Sequence, residues 1–260
     1  MALIRVVAGT KQVSGYNRAV QFGDAHFTTL KITQHKVEHW PLHLERLLVA
    51  NSKLAFPAFC PQQLTAEITD IAEQYANATV KILMTRGESQ RGYAVPDSIL
   101  SLCYIYIVPA AHPPSELAPA ELVTLKTRLS VQPLLAGLKH CNRLEQVLIK
   151  QELADLDVTD GLVFNYSGHL IETSMANIFV FLNGRWCTPD LTGSGVAGVI
   201  RSHILARHSI DVCNISEADV GKIEAAVLTN ALIGVRPVKS IDDRLLSVAK
   251  SQAFRELVYG

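Results

Sequence analysis

The feature that most constrains this chain is a break in its patterning. Residues 110–120, AAHPPSELAPA, set three prolines among small residues, which interrupts helical and strand periodicity alike and has the composition of a linker. The segments on either side differ in texture. Ahead of it, FTTLKIT and KVEHW flank a short Gln34–His35 turn and read as strands. Leu44, Leu47, Leu48 and Leu54 then recur at helical spacing behind Pro41, which suits the first turn of a helix. Leu64, Ile68, Ile71 and Tyr75 repeat that spacing, and the runs TVKILMTR and ILSLCYIYIV read as two buried strands. This half predicts two helices packed on a sheet.

Behind the break come a strand (LVTLKTRLS), a helix (NRLEQVLIKQELADL), short strands around LVFNYSGHLIE and NIFVFLNGRW, and a helix opened by the glycine-rich GSGVAGVIRSHIL. Short strands separated by Gly and Asn turns favour a mixed, barrel-like sheet with peripheral helices over a doubly wound one. The expected fold class is therefore mixed α/β in two domains. A smaller N-terminal α/β domain spans 1–110, a linker 111–120, and a larger C-terminal domain with the barrel-like sheet 121–260.

Charge and cysteine usage exclude several functions. Lys plus Arg and Asp plus Glu number 24 each, so no basic field exists to attract nucleic acid or an anionic membrane surface. The first residues, MALIRVVAGTKQV, lack a basic segment followed by a continuous apolar one, and no stretch reaches the roughly 20 apolar residues of a membrane span. A cytoplasmic protein is expected. Five widely spaced cysteines without a CxxC pair suggest neither a disulfide framework nor a zinc site. His35, His39 and His43 would make a metal face only on one helix, which Pro41 and the hairpin oppose, so no metal is expected.

A few residues could carry chemistry. Lys139, in AGLKHCNRLEQVL, precedes a helix whose apolar positions are Leu144, Val147, Leu148 and Leu153, and so sits at a strand-to-helix junction where its side chain can enter a cleft. Nucleophilic lysine chemistry needs a neutral amine, hence desolvation or a nearby cation; most loop lysines are merely solvated charges. Glu172 shares a strand face with Leu170 in apolar surroundings, where a carboxylate needs a cationic partner such as a protonated pyridine nitrogen; otherwise it is a strand-end glutamate facing water. Gly193, Gly195 and Gly198 run into a helix, so that backbone amides could converge on a phosphate, although a plain turn is the commoner meaning of such a run. Arg46 could clamp a phosphate from the leucine-rich helix, and Thr229–Asn230 ends an apolar run as either a cap or a ligand contact.

Taken in order, Arg46, Lys139, Glu172, Asn177, GVAGVIR and Thr229–Asn230 resemble the fold-type IV pyridoxal 5'-phosphate (PLP) enzymes, a group that includes D-amino-acid and branched-chain aminotransferases and aminodeoxychorismate lyases. Within it, RAVQFGDAHFTT, the Arg86-Gly87…Arg91-Gly92-Tyr93 run and especially GLKHCNRLEQVLI are most similar to the bacterial lyases. The resemblance implies PLP held by Lys139 as a Schiff base, with Glu172 on the pyridine nitrogen. Arg46, the amides of Val199 and Ile200, and Asn230 would hold the phosphate, with Thr229 nearby. Where the D-amino-acid enzymes carry a glutamate this chain has Thr28, whose hydroxyl could assist catalysis or bind a dianionic substrate without repelling it. The implied activity converts 4-amino-4-deoxychorismate to 4-aminobenzoate, a folate precursor, and pyruvate. Arg91, Arg143 and Tyr93 would contact this small-molecule substrate, and the group implies a homodimer. A D-amino-acid or branched-chain aminotransferase is the alternative.

Overall fold

The computed structural model describes residues 1–7, 13–90, 92–111 and 117–260; Arg91 and residues 112–116 of the expected linker lie outside them. The chain forms two compact units. The first comprises Met1–Ser115 with Lys139–Asn142, and the second Glu116–Leu138 with Arg143–Gly260.

In the first unit β1 (Ala2–Val7) is followed by a short helix α1 (Arg18–Phe22), β2 (Ala25–Thr33), β3 (Lys36–Val37), α2 (Trp40–Lys53), α3 (Pro61–Gln74), β4 (Asn77–Thr85) and β5 (Leu102–Pro109). The strands order β1-β5-β4-β2-β3, all antiparallel except β1 with β5. The Gln34–His35 turn is as expected, and both residues take positive φ (51° and 62°), the backbone twist that two-residue hairpins favour. KVEHW, however, is strand only through Val37, because His39 turns left-handed and Trp40–Pro41 opens α2. Neither β1 nor α1 had been expected. Along β2 and β4 one face is apolar (Leu30, Ile32, Val80, Ile82, Met84) and packs with Leu47 of α2 and Leu64, Ile68 and Ile71 of α3 into a core. Alternation hands the opposite face of these strands to Phe27, Thr29, Lys81 and Leu83.

The second unit holds β6 (Ala120–Leu129), α4 (Leu144–Ala154), β7 (Asp160–Asn165), β8 (Leu170–Thr173), β9 (Asn177–Leu182), β10 (Arg185–Pro189), α5 (Val199–Arg207), β11 (Asp211–Cys213), a 3-10 turn at Glu217–Lys222, β12 (Ala225–Asn230), β13 (Gly234–Ile241), β14 (Arg244–Leu245) and α6 (Val248–Tyr259). The sheet is mixed, ordered β11-β10-β9-β12-β13-β6-β7-β8 with β14 beside β13. Its first strand begins at Ala120, the last residue assigned to the linker.

Two expectations about the Lys139 region change. No strand runs directly into the lysine: β6 ends at Leu129, residues 133–136 are turns, and His140 makes an isolated bridge to His26. On α4, Leu144, Val147 and Leu148 are exposed while Ile149 and Leu153 are buried. The helix is rotated by its acids. Glu145 accepts from Ser130 N and Oγ, and Glu152 accepts from Lys126 N and Thr127 N, so both carboxylates satisfy amides of β6 and of the residue after it. Glu145, Ile149, Glu152 and Leu153 share one helical face, so satisfying those amides turns the leucine stripe outward. Among the described residues no helix is long and apolar enough to cross a membrane.

Candidate active site

In the first unit the chemistry gathers on the sheet face turned away from the helices. Cys141 N donates to Ala25 O and Phe27 N donates to Lys139 O (2.9 Å each), which ties the Lys139 segment to the start of β2. Lys139 Nζ then lies 4.9 Å from the centre of the Phe27 ring. On the neighbouring strand Lys81 Nζ is 4.6 Å from the same ring and 5.9 Å from that of Tyr106. Thr29, Lys81 and Tyr106 form one cross-strand row and Phe27, Leu83 and Tyr104 the next. The residues of β2, β4 and β5 on this face supply ammonium groups and hydroxyls and no carboxylate. Burial raises the phenol pKa of both Tyr104 and Tyr106, so their hydroxyls stay protonated donors at neutral pH.

Thr28 is turned the other way. As the strand neighbour of Phe27 it points to the helix side, is fully buried, and its Oγ lies 2.6 Å from His43 Nδ1 on α2. The Thr28 hydroxyl, expected to assist catalysis or bind the substrate, instead meets His43, and the threonine that shares a face with Phe27 is Thr29. Sequence alternation held that signal, since neighbouring strand residues always point to opposite faces. Lys81, which the sequence reading also missed, becomes visible only through the β2–β4 register. Burial pushes the His43 imidazole down to about 3, with the Arg46 and His39 charges adding to the effect. Arg46 is partly exposed, and desolvation lowers its pKa to about 10. That is a site where a dianion would compensate for lost solvation. Tyr93 is exposed with its ring 5.2 Å from Phe22, and Arg91 is outside the described residues.

In the second unit Glu172 is buried, not a water-facing strand end, and its Oε2 accepts from Val196 N at 2.9 Å. Asn177 clamps the same loop from β9: Nδ2 donates to Val196 O (2.8 Å) and Oδ1 accepts from Gly198 N (2.9 Å). Both glycines are required. Gly195 has φ +80° and a Cβ there would meet Ile171 Cγ2 at 2.4 Å, while one on Gly198 would meet Asn177 Oδ1 at 2.0 Å. The loop thereby delivers the amides of Val199 and Ile200 to the start of α5, where no side chain caps them. Thr229 pairs with Asn177 across β12 and β9; its Oγ1 is buried and has no hydrogen-bond partner among the described residues. The Asn230 side chain is engaged in the turn after β12: Oδ1 accepts from Leu232 N and Ile233 N and Nδ2 donates to Met175 O. Arg143 is the N-cap residue of α4, and its Nη2 donates to Leu138 O.

A glycine cradle, helix amides without a side-chain cap and the buried Thr229 hydroxyl suit a phosphate, and the buried Glu172 carboxylate has the charge that a protonated pyridine nitrogen needs opposite it. The residues present fit PLP.

Comparison with known proteins agrees with this geometry. Residues 25–241 match the family described as Amino-transferase class IV. The chain belongs to that family. It is 33% identical over 238 residues to an aminodeoxychorismate lyase of Vibrio harveyi, covering 86% of each chain. Among solved structures it resembles 4-amino-4-deoxychorismate lyase from Pseudomonas aeruginosa at 29% identity and a TM-score of 0.86, covering 96% of this chain and 95% of that one. A hypothetical aminotransferase from Mycobacterium tuberculosis, described in a PLP-bound form, shares the fold at 16% identity and a TM-score of 0.80, over 97% and 93% of the two chains. The mixed α/β class expected for a fold-type IV enzyme is thus confirmed, and the family is PLP-dependent.

Proposed function

We propose that this protein is a PLP-dependent lyase that converts 4-amino-4-deoxychorismate to 4-aminobenzoate and pyruvate. The observation that carries the reading is that the Lys139 and Lys81 amines share the Phe27 ring on a sheet face that also bears Thr29, Tyr104 and Tyr106, and on which β2, β4 and β5 place no carboxylate. A dicarboxylate substrate gains from such a face. The similarity to aminodeoxychorismate lyases supports the same choice.

Lys139 is the covalent anchor of PLP, Glu172 the partner of its pyridine nitrogen, and Arg46, the Val199 and Ile200 amides and the Thr229 hydroxyl the holders of its phosphate. Asn230 serves by fixing the turn beside Thr229. Bound PLP supplies an electron sink. With the substrate held beside it, the Lys139 amine would act as the base that takes the proton from ring C4. The C–O bond to enolpyruvate then breaks as the ring becomes aromatic, and the same amine returns a proton to the methylene carbon of the departing group, giving pyruvate. Thr29, in place of Thr28, is the hydroxyl beside this amine. Lys81 joins Arg91 and Arg143 as cations for the substrate carboxylates, with Tyr93 lining the pocket. The reading also takes the protein to be a cytoplasmic homodimer with domains at 1–110 and 121–260 joined by 111–120; light scattering reads the dimer directly.

The test supplies purified protein with aminodeoxychorismate and follows 4-aminobenzoate and pyruvate together, then offers D-alanine with 2-oxoglutarate. One-to-one formation of the two products supports the lyase. Pyruvate from D-alanine alone would make the protein an aminotransferase. Borohydride reduction followed by peptide mapping should place the cofactor on Lys139, and a label on any other lysine overturns the anchor.

A further inference from the structure

Two sequence motifs with no visible connection, RAVQFGD at 18–24 and Arg86–Tyr93, meet in the first unit at one carboxylate. Asp24 Oδ2 accepts from Arg18 Nε and from Arg86 Nε, both at 2.8 Å, and both arginine side chains are buried. The arginines reach in opposite directions. Arg86 donates to Leu54 O and Ala55 O at 2.7 Å each, with its guanidinium 4.1 Å from the Phe56 ring, and so fixes the chain leaving α2. Arg18 donates to Ser89 Oγ and to the carbonyls of Gly92, Tyr93 and Ala94, and it lies over Phe22, against which the Tyr93 ring packs. Three successive carbonyls, Gly92 to Ala94, sit on one guanidinium, and among the described residues neither they nor Ser89 belong to a helix or strand.

We propose that Asp24 is a positioning residue for substrate recognition. By neutralising and orienting Arg18 against Arg86, it holds Ser89 and Gly92–Ala94 where they present Tyr93 to the substrate. The proposal rests on the lyase reading for the identity of that substrate. Two buried guanidiniums on one oxygen leave the cluster dependent on a single negative charge, so loss of that charge sets two cations against each other and frees the segment before it disturbs the strands. Asp24 touches neither cofactor nor reacting atoms in this role.

The experiment compares the PLP-loaded wild type with Asp24→Asn and Asp24→Glu. Hydrogen–deuterium exchange without substrate reads the segment itself, the visible absorption of the lysine-bound cofactor reads loading, and steady-state kinetics read recognition. For D24N we expect faster exchange at Ser89 and Gly92–Ala94, unchanged absorption, and KM for aminodeoxychorismate raised about tenfold with kcat within about threefold, since misplacement of a binding element acts on KM. D24E should recover part of the change. Unchanged exchange overturns the positioning role, and faster exchange with unchanged KM overturns the link to recognition. If D24N fails to fold, Arg18→Lys, which keeps the charge and loses the fork, must show the same exchange and KM changes or the proposal falls. If the wild type has no lyase activity the function is misassigned, while the exchange result still decides whether Asp24 holds the segment.

Discussion

Thr28 and Thr29 are one peptide apart and chemically identical, and β2 sends one to a histidine in the core and the other to the face that carries the Lys139 amine. Their substitution to valine, nearly isosteric but without a hydroxyl, therefore separates two effects. Thr29→Val should lower kcat tenfold or more and leave the melting temperature within a degree or two, because a half-buried hydroxyl gives little to folding and its proposed part is in proton transfer. Thr28→Val should cost about 1–2 kcal/mol of stability by stripping His43 of its hydroxyl, with kcat little changed. Paired kinetics and thermal melts decide between them; the opposite pattern would return the catalytic hydroxyl to Thr28. Glu172→Gln keeps the bond from Val196 N but removes the charge proposed for the pyridine nitrogen. It should therefore cut kcat by about two orders of magnitude while still binding PLP.

At the scale of elements, α2 is fastened to β2 by two buried neutral imidazoles. His43 meets Thr28, and His26 Nε2 meets Asn51 Oδ1 at 2.7 Å; burial lowers their pKa values to about 3 and about 4 from an ordinary 6.5. Both folded values lie below the unfolded one, so the unfolded chain binds more protons as pH falls below about 6.5. Stability should hold above pH 6.5 and decline as acid is added, each imidazole costing up to about 1.4 kcal/mol per pH unit down to its folded value. Urea melts at pH 7 and pH 5 should differ by a few kcal/mol. Replacing Thr28 and His43 together by apolar residues should reduce that difference by about half if the protein still folds. On α3, Leu64→Ala should cost about 2–5 kcal/mol, as Leu64 is fully buried between the helix and the sheet.

For the whole molecule, a cofactor bound only by the native state must raise the melting temperature with its concentration. Added PLP should stabilise the wild type by about 2.7 kcal/mol at a hundred times its dissociation constant, and the Thr229→Val variant by less at equal concentration, since Thr229 is the orphaned hydroxyl assigned to the phosphate. Calorimetry at graded PLP measures both. An identical response in the two proteins would remove Thr229 from the phosphate site.

Much of this was legible without coordinates, and the reason differs with the feature. The periodic runs at 40–53 and 61–74 and the apolar strands at 77–85 and 102–109 declare themselves because hydrophobic spacing is local and period alone distinguishes helix from strand. Lys139, Glu172 and the glycine loop came from an ordered resemblance, since no single one of them departs from an ordinary surface residue in isolation. What remained hidden depended on partners distant in sequence. The outward leucines of α4 follow from amides of β6 and of Ser130 that Glu145 and Glu152 satisfy. Lys81 joins the site through the register of β2 on β4, and Asp24 becomes a junction because arginines 6 residues before it and 62 residues after it fold back to one oxygen. The sequence by itself determined the elements, their order and the family chemistry, because these are written in local spacing and residue type. Tertiary structure alone decided which face each side chain takes and which charges share a partner, because both depend on segments brought together only by folding.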